Sequence, residues 1–278
     1  MSEQRFQSRL GECMTTSSSV FDKNISVWKK EQEQPWQILK YKLAKANIDK
    51  YLHTGKLKIL DVGGGNGVDS LDFAKAGHSV HIVDYAKEML TEAIKIASSE
   101  KAEDNITTHH ADIQEVSSLF PSTKFDLILC HNVLQYIDDV ASLMKSLINL
   151  LKPGGLLSVI SINRYSIPYQ RAFLHGDLQT ALAEIGTREF HAYSFDTKLI
   201  NYSVEEIAEM LEETDVTVEA DYGIRNIYDY WGDNDKKSDP EIQEQLEKIE
   251  FELTDKYPYK LLARYYQIIA RKSQNLGH

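Results

Sequence analysis

The chain has 278 residues, 42% of them hydrophobic and 26% charged, and a formal net charge of −11. This is enough chain and enough apolar surface for a full core, which excludes disorder and fibrous repeats, and no run approaches the roughly 18 apolar residues of a membrane span. The acid excess excludes a nonspecific grip on nucleic acid or anionic membrane by the molecule as a whole.

Residues 1–33 are polar and Ser/Thr-rich, with Glu3, Arg5 and Arg9 and no apolar stretch at the start, so no secretory signal is read there. Phe21 and Trp28 are isolated anchors of an arm or of short helices. Residues 1–56 hold ten basic against six acidic residues, a local +4. This is either a solvated face or a positive rim for an anionic substrate. After Pro35 a helix is predicted from Trp36 to Leu52, on the near-helical spacing of Ile38, Leu39, Leu43, Ala46 and Tyr51. Leu57–Val62 is a strand running straight into Gly63-Gly64-Gly65-Asn66-Gly67, and the helix after it ends at Gly77. There follow a strand (Val80–Val83), a helix (Lys87–Ala97), a weaker strand near Ile106, a buried-type strand (Phe125–Cys130) and a helix from Val140 to Leu151. That helix stops at Pro153-Gly154-Gly155, before a strand from Leu156 to Ile162.

The rhythm breaks over residues 164–201, rich in Tyr, Phe and His. It resumes with a helix (Val204–Leu211), a strand (Val216–Tyr222), an acidic helix (about Glu241–Leu253) and a last strand (Tyr265–Ala270). Alternating strands and helices predict an α/β fold, a doubly wound, seven-stranded, mostly parallel sheet of Rossmann-like type with helical cap insertions. The predicted division is 1–56 as an N-terminal arm and helix over a ligand site, 57–163 as the binding half, 164–201 as a substrate-side insertion and 202–278 as the rest of the core. Cys13 and Cys130 stand far apart with no C-x-x-C partner, so neither a disulfide framework nor a zinc site is expected, and a cytoplasmic setting is.

The strongest motif is Asp61-Val62-Gly63-Gly64-Gly65-Asn66-Gly67 between strand and helix. Glycines let the backbone turn and approach a ligand without a Cβ in the way, and the next helix offers free N–H groups. A dinucleotide loop needs G-x-G-x-x-G or G-x-G-x-x-A. From Gly63 the sixth position is Val68, and from Gly64 the third is Asn66, so both registers fail. The spacing fits D-x-G-x-G-x-G, the S-adenosyl-L-methionine loop of class I methyltransferases. Asp84 ends the second strand, where a carboxylate can accept both ribose hydroxyls, although alone it reads equally as a helix cap. Asp112 closes the next unit and could accept from an adenine amino group beside the Ile113 N–H, or serve as a turn cap. His131 follows the fourth strand directly.

The chain resembles the bacterial tRNA 5-carboxymethoxyuridine methyltransferases, from about Trp36 onward. The residues that carry the resemblance are Ile59–Gly67, Ala76–Val80, Leu127–Leu134, Leu151–Gly155, Gly223–Tyr230, Tyr257-Pro258-Tyr259 and Ala263-Arg264-Tyr265. It implies cofactor contact through Asp61, Gly63, Gly64, Gly65, Asp84, Asp112, Ile113 and His131. It also implies a cation on the N-terminal helix for the cofactor carboxylate, where Lys40 stands in place of arginine and loses the planar fork.

For a carboxylate acceptor, Arg225 and Arg264 are the candidate clamps, or else structural ion pairs. Tyr228, Tyr230 and Tyr265 could stack on a base or belong to the core. For a hydroxyl acceptor His131 is the candidate base, with His175 and His191 behind it. His109 and His110 point to opposite faces of a strand and make a poor metal pair. The expected activity is O-methylation of a carboxylate on a modified tRNA wobble uridine. The alternatives are a small-molecule O- or N-methyltransferase and a non-catalytic cofactor-binding interaction protein. No metal or membrane partner is implied.

Overall fold

In this computed structural model, residues 32, 34–192, 197–233 and 236–274 are described. The arm read over residues 1–33 lies outside them, apart from Gln32. Strand-forming runs that are apolar almost throughout, such as Phe125-Asp126-Leu127-Ile128-Leu129-Cys130, cannot leave one face in water and are covered on both. They form β1 (Lys58–Val62), β2 (Ser79–Asp84), β3 (Ile106–His110), β4 (Phe125–His131) and β5 (Leu151–Ile162). After the small hairpin of β6 (Glu189–Ala192) and β7 (Thr197–Ile200) come β8 (Val216–Ile224) and β9 (Tyr265–Lys272). The large sheet has the order β3-β2-β1-β4-β5-β9-β8. β1 to β5 pair in parallel, while β9 runs antiparallel to both β5 and β8.

One face is covered by α1 (Pro35–Asp49), α2 (Val68–Lys75) and α3 (Lys87–Ser99), which bury Ile48, Phe73, Leu90 and Ala93 against Ile59, Ile82 and Leu127. The other carries α4 (Val116–Leu119), α5 (Val140–Leu150) and α8 (Val204–Glu212). Leu143, Met144, Leu147 and Ile148 of α5 recur at helical spacing and are all buried, each side chain stabilising by about 1.5–3 kcal/mol. A third cluster joins Leu39, Leu43 and Ala44 of α1 to Ile160, Ile224, Tyr265 and, on α9 (Pro240–Leu253), Leu246. It holds α1 over the edge where the parallel strands end.

Two stretches differ from expectation. β5 starts at Leu151, not Leu156, because Leu151 already pairs with Phe125 and the ladder shifts across Pro153-Gly154-Gly155 before Leu156 meets Leu127. The stretch 164–201, read as an insertion that breaks the strand–helix rhythm and has little strand periodicity, holds α6 (Ser166–His175), α7 (Leu178–Glu184) and also the β6–β7 hairpin. Among the described residues no helix is long and apolar enough to cross a membrane.

Candidate active site

The turn leaving β1 is shaped by close approach. Gly63 has φ +65, and a Cβ there would lie 2.6 Å from Val133 Cγ2; a Cβ on Gly64 would strike the Asp61 carboxyl. The N–H groups of Gly63 and Gly64 donate to the Val83 carbonyl at 2.8 and 3.3 Å, which pins the loop to β2. Asp84, at the end of β2, accepts from Gly65 N–H through Oδ2 at 2.9 Å and from Ala86 N–H through Oδ1 at 2.8 Å. Its carboxyl is therefore fixed at the lip of the loop with lone pairs to spare.

Asp61 is buried, and its Oδ2 has no hydrogen-bond partner among the described residues. Burial first, and Asp69 next, push its carboxyl up to about 8. Asp112 caps the short turn after β3, its Oδ1 accepting from Gln114 N–H at 2.8 Å, and Ile113 packs against the core beneath. A bare glycine cradle, a fixed carboxylate at the second strand and an orphaned buried carboxyl oxygen fit a nucleoside with a cationic sulfur and amine.

His131 sits differently from a base. Its Nδ1 donates to Asp69 Oδ1 at 2.8 Å, and its Nε2 is 2.9 Å from Ser158 Oγ. Burial opposes ionisation of Asp69, but His131 and then Lys40 outweigh it and hold the carboxyl below its ordinary range. Ser158 Oγ also accepts from Gln267 Nε2 at 3.0 Å, and Gln267 Oε1 accepts from Asn47 Nδ2 at 3.0 Å, so the chain of contacts continues into α1. Both nitrogens of His131 are committed inside the protein, and its side chain is 3% exposed. His131, the candidate base for a hydroxyl acceptor, thus has both ring nitrogens engaged by Asp69 and Ser158. His175 ends α6, and the side chain of His191 lies outside the described residues.

Around Tyr265, at the start of β9, three cations from distant parts of the chain meet. Lys40 Nζ is 5.8 Å from the ring centroid, and the guanidinium carbons of Arg225 and Arg264 are 5.5 and 5.8 Å away. Burial alone would raise the Tyr265 phenol; Arg264, Arg225 and Lys40 together override it and hold the group below its ordinary value.

The two arginines are not equivalent. Arg225, buried and at φ +64, donates to Asp229 Oδ1 through Nε at 2.9 Å and also through Nη2, a buried structural ion pair. Arg264, with its side chain 27% exposed, has its Nε 3.7 Å from Asp229 Oδ2, and neither atom has a hydrogen-bond partner among the described residues. Tyr230 turns away to donate to the Leu262 carbonyl at 2.7 Å. Sequence reasoning missed Asp229 and Glu250. The latter stands four residues after Leu246, on the apolar stripe of an otherwise acidic helix, which is the signal that it is buried.

A seven-stranded sheet whose β9 runs antiparallel to both its neighbours, with a glycine loop after the first strand and an acid after the second, defines a class I S-adenosylmethionine-dependent methyltransferase. The chain belongs to the methyltransferase domain family, whose profile matches residues 53–239. It is 29% identical over 220 residues to the tRNA 5-carboxymethoxyuridine methyltransferase of Escherichia coli K12, covering 79% of this chain and 82% of that one. It is 31% identical over 150 residues to the ubiquinone biosynthesis O-methyltransferase of Actinobacillus pleuropneumoniae, covering 52% of this chain and 62% of the relative. Among solved structures, the magnesium protoporphyrin IX methyltransferase of Synechocystis with bound S-adenosylhomocysteine superposes with a TM-score of 0.60. It is 15% identical, over 94% of this chain and all of that one, a likeness of fold.

Proposed function

We propose that the protein methylates a carboxylate carried by a modified wobble uridine of tRNA, in the cytoplasm. The observation that carries this reading is the trio of Lys40, Arg225 and Arg264 around Tyr265, balanced within the cluster by Asp229. Such a field repels a protonated amine and favours an oxyanion. The likeness to the E. coli tRNA enzyme supports a carboxylate on uridine as its source.

S-adenosylmethionine, when bound, supplies an electrophilic methyl group on a positively charged sulfur. In this reading Gly63, Gly64 and Gly65 shape its bed, and Asp61 faces its positive end. Asp84 accepts from the ribose hydroxyls, and Asp112 with the Ile113 N–H meets the adenine. Arg264, which keeps an unpaired face, holds the acceptor carboxylate, Lys40 adds charge from α1, and Arg225 with Asp229 fixes the wall. A carboxylate is ionised at neutral pH, so no residue has to take a proton from it; alignment is the main task. The same field would also favour the ionised form of a phenol, as it does for Tyr265, and this supports a phenolic small molecule as the second reading.

The test uses the full chain, tritiated S-adenosylmethionine and tRNA that carries the uridine acid without its ester. Label should enter the tRNA and leave as methanol under mild alkali, because a methyl ester hydrolyses where an ether or N-methyl does not. Alkali-stable label overturns the carboxylate, and no label in tRNA overturns the tRNA acceptor.

A further inference from the structure

α6 and α7 form a hairpin beside the proposed acceptor site, turning at Gly176, which has φ +63. Among its described residues α7 buries only Ala181, while Leu182 and Ile185 are 73% and 64% exposed. Lining a groove of about 590 Å³ with them are Tyr165, at the start of α6, and Tyr169 and Phe173 within it, spaced four residues apart. The Tyr169 and Phe173 rings are 6.3 Å apart and within 16° of parallel, and the Arg164 guanidinium lies 5.4 Å over the Tyr165 ring. The α6 part of the lining is thus aromatic with an arginine plane at its end, and the α7 part is aliphatic. A slot of this kind takes a flat ring.

Tyr230 links the groove to the segment that carries the cation cluster. Tyr230 meets Tyr169 and Phe173 edge-on at 6.2 and 6.4 Å and donates to the carbonyl of Leu262, which lines the groove. Tyr230 directly follows Asp229, and Leu262 stands two residues before Arg264. With its carboxylate at Arg264, an acceptor nucleotide therefore has the next nucleotide of its chain within reach of the groove.

The charges nearby do not suit a phosphate grip. Arg164 and Arg188 both pair with Glu206, and Arg171 pairs with Glu184. We infer that the α6–α7 groove stacks an unpaired nucleobase of single-stranded RNA adjoining the methylated residue, on Tyr165, Tyr169 and Phe173. This rests on the tRNA reading above and adds to it how the RNA is gripped. Proteins that read RNA loops splay bases onto aromatic rings and arginine planes, and stacking of this kind tolerates any base. Because stacking rather than phosphate pairing supplies the grip, affinity should fall only shallowly with salt.

The experiment measures two quantities with the full chain: binding of an anticodon stem-loop RNA, and methyl transfer to tRNA and to the free nucleoside 5-carboxymethoxyuridine. Phe173→Ala and Tyr169→Ala should each weaken RNA binding and lower kcat/KM on tRNA by about tenfold, the loss of one stacked base. Turnover of the free nucleoside should be unchanged. Leu178→Ser, 70% exposed but outside the groove lining, should change neither. Unchanged RNA binding in both groove variants overturns the inference and leaves the tRNA reading standing if wild type still labels tRNA. An equal loss on the nucleoside also overturns it, by assigning the groove to the acceptor itself, as does an equal effect of Leu178→Ser. Groove-dependent RNA binding without any methyl transfer to tRNA supports the stacking site and removes the tRNA acceptor. A wild-type chain that neither binds the stem-loop nor labels tRNA removes both.

Discussion

Glu250 accepts a hydrogen bond from the backbone N–H of Asn226 at 2.6 Å, although the two residues stand 24 positions apart. The same buried carboxylate accepts from the N–H groups of Ile227 and Tyr228 at 2.7 and 2.8 Å. Three backbone donors converging on one buried carboxyl group fix the turn that carries Arg225 and Asp229. Glu250→Ala leaves those donors buried and unpaired, and should lower the unfolding free energy by about 3–5 kcal/mol. Glu250→Gln keeps an acceptor oxygen and should cost about 1–2 kcal/mol. Urea unfolding measures both. An alanine variant as stable as wild type removes this anchoring role.

The Asp61 carboxyl gives the stability a distinctive pH dependence. Its folded value is raised, from 3.8 to about 8, by burial first and by Asp69 next. A raised acid holds its proton in the folded chain where the unfolded chain has lost it. Its contribution is therefore complete below about pH 4 and is lost as pH rises towards 8. Asp61→Asn cannot ionise, so the stability of the variant relative to wild type should improve between pH 5 and 8, by an amount on the order of a few kcal/mol. Paired unfolding curves at the two pH values test this, and a difference that does not move with pH sinks it.

Much of this was legible in the sequence because it is local. Pro35 opens α1, Gly77 at φ +90 follows the end of α2, and the Gly63–Gly67 loop could not fit a dinucleotide register. The stretch 164–201 was not legible. α6 carries Pro168 as its third residue, allowed in a first turn but indistinguishable in sequence from a break, and the seven-residue α7 leaves its leucines in water. The chemistry of single residues was legible only by type. His131 has the right residue and position for a base, yet Asp69 and Ser158, 62 and 27 positions away, occupy its nitrogens. Arg225 and Arg264 look alike in sequence and are separated by which oxygen of Asp229 each one reaches.

That separation makes the two arginines behave differently when changed. Arg264→Lys keeps the charge but loses the fork that matches a carboxylate, so KM for the acceptor should rise about tenfold or more while S-adenosylmethionine binding holds. Arg225→Met strips the partner from buried Asp229 and should act on stability instead, by about 3–5 kcal/mol. Calorimetry for the cofactor, kinetics for the acceptor and urea unfolding separate the outcomes. An Arg264→Lys variant with unchanged acceptor kinetics withdraws Arg264 from the acceptor site.

For a half-buried histidine pair the sign reverses. His81 Nδ1 and His109 Nε2, on β2 and β3, are 3.0 Å apart with their rings stacked at 5.3 Å, against the edges of Phe120 and Phe125. Burial first, then His109 and Lys58, lower His81 from 6.5 to about 4, and burial lowers His109 as well. Between those values the unfolded chain binds a proton that folded His81 refuses, so stability is complete above about pH 6.5 and is lost as pH falls towards 4. His81→Phe keeps an aromatic plate between Phe120 and Phe125 and removes one titrating ring. Its urea midpoint should therefore drop less than that of wild type between pH 7 and pH 5. An identical drop in both proteins would assign the acid sensitivity to groups other than this pair.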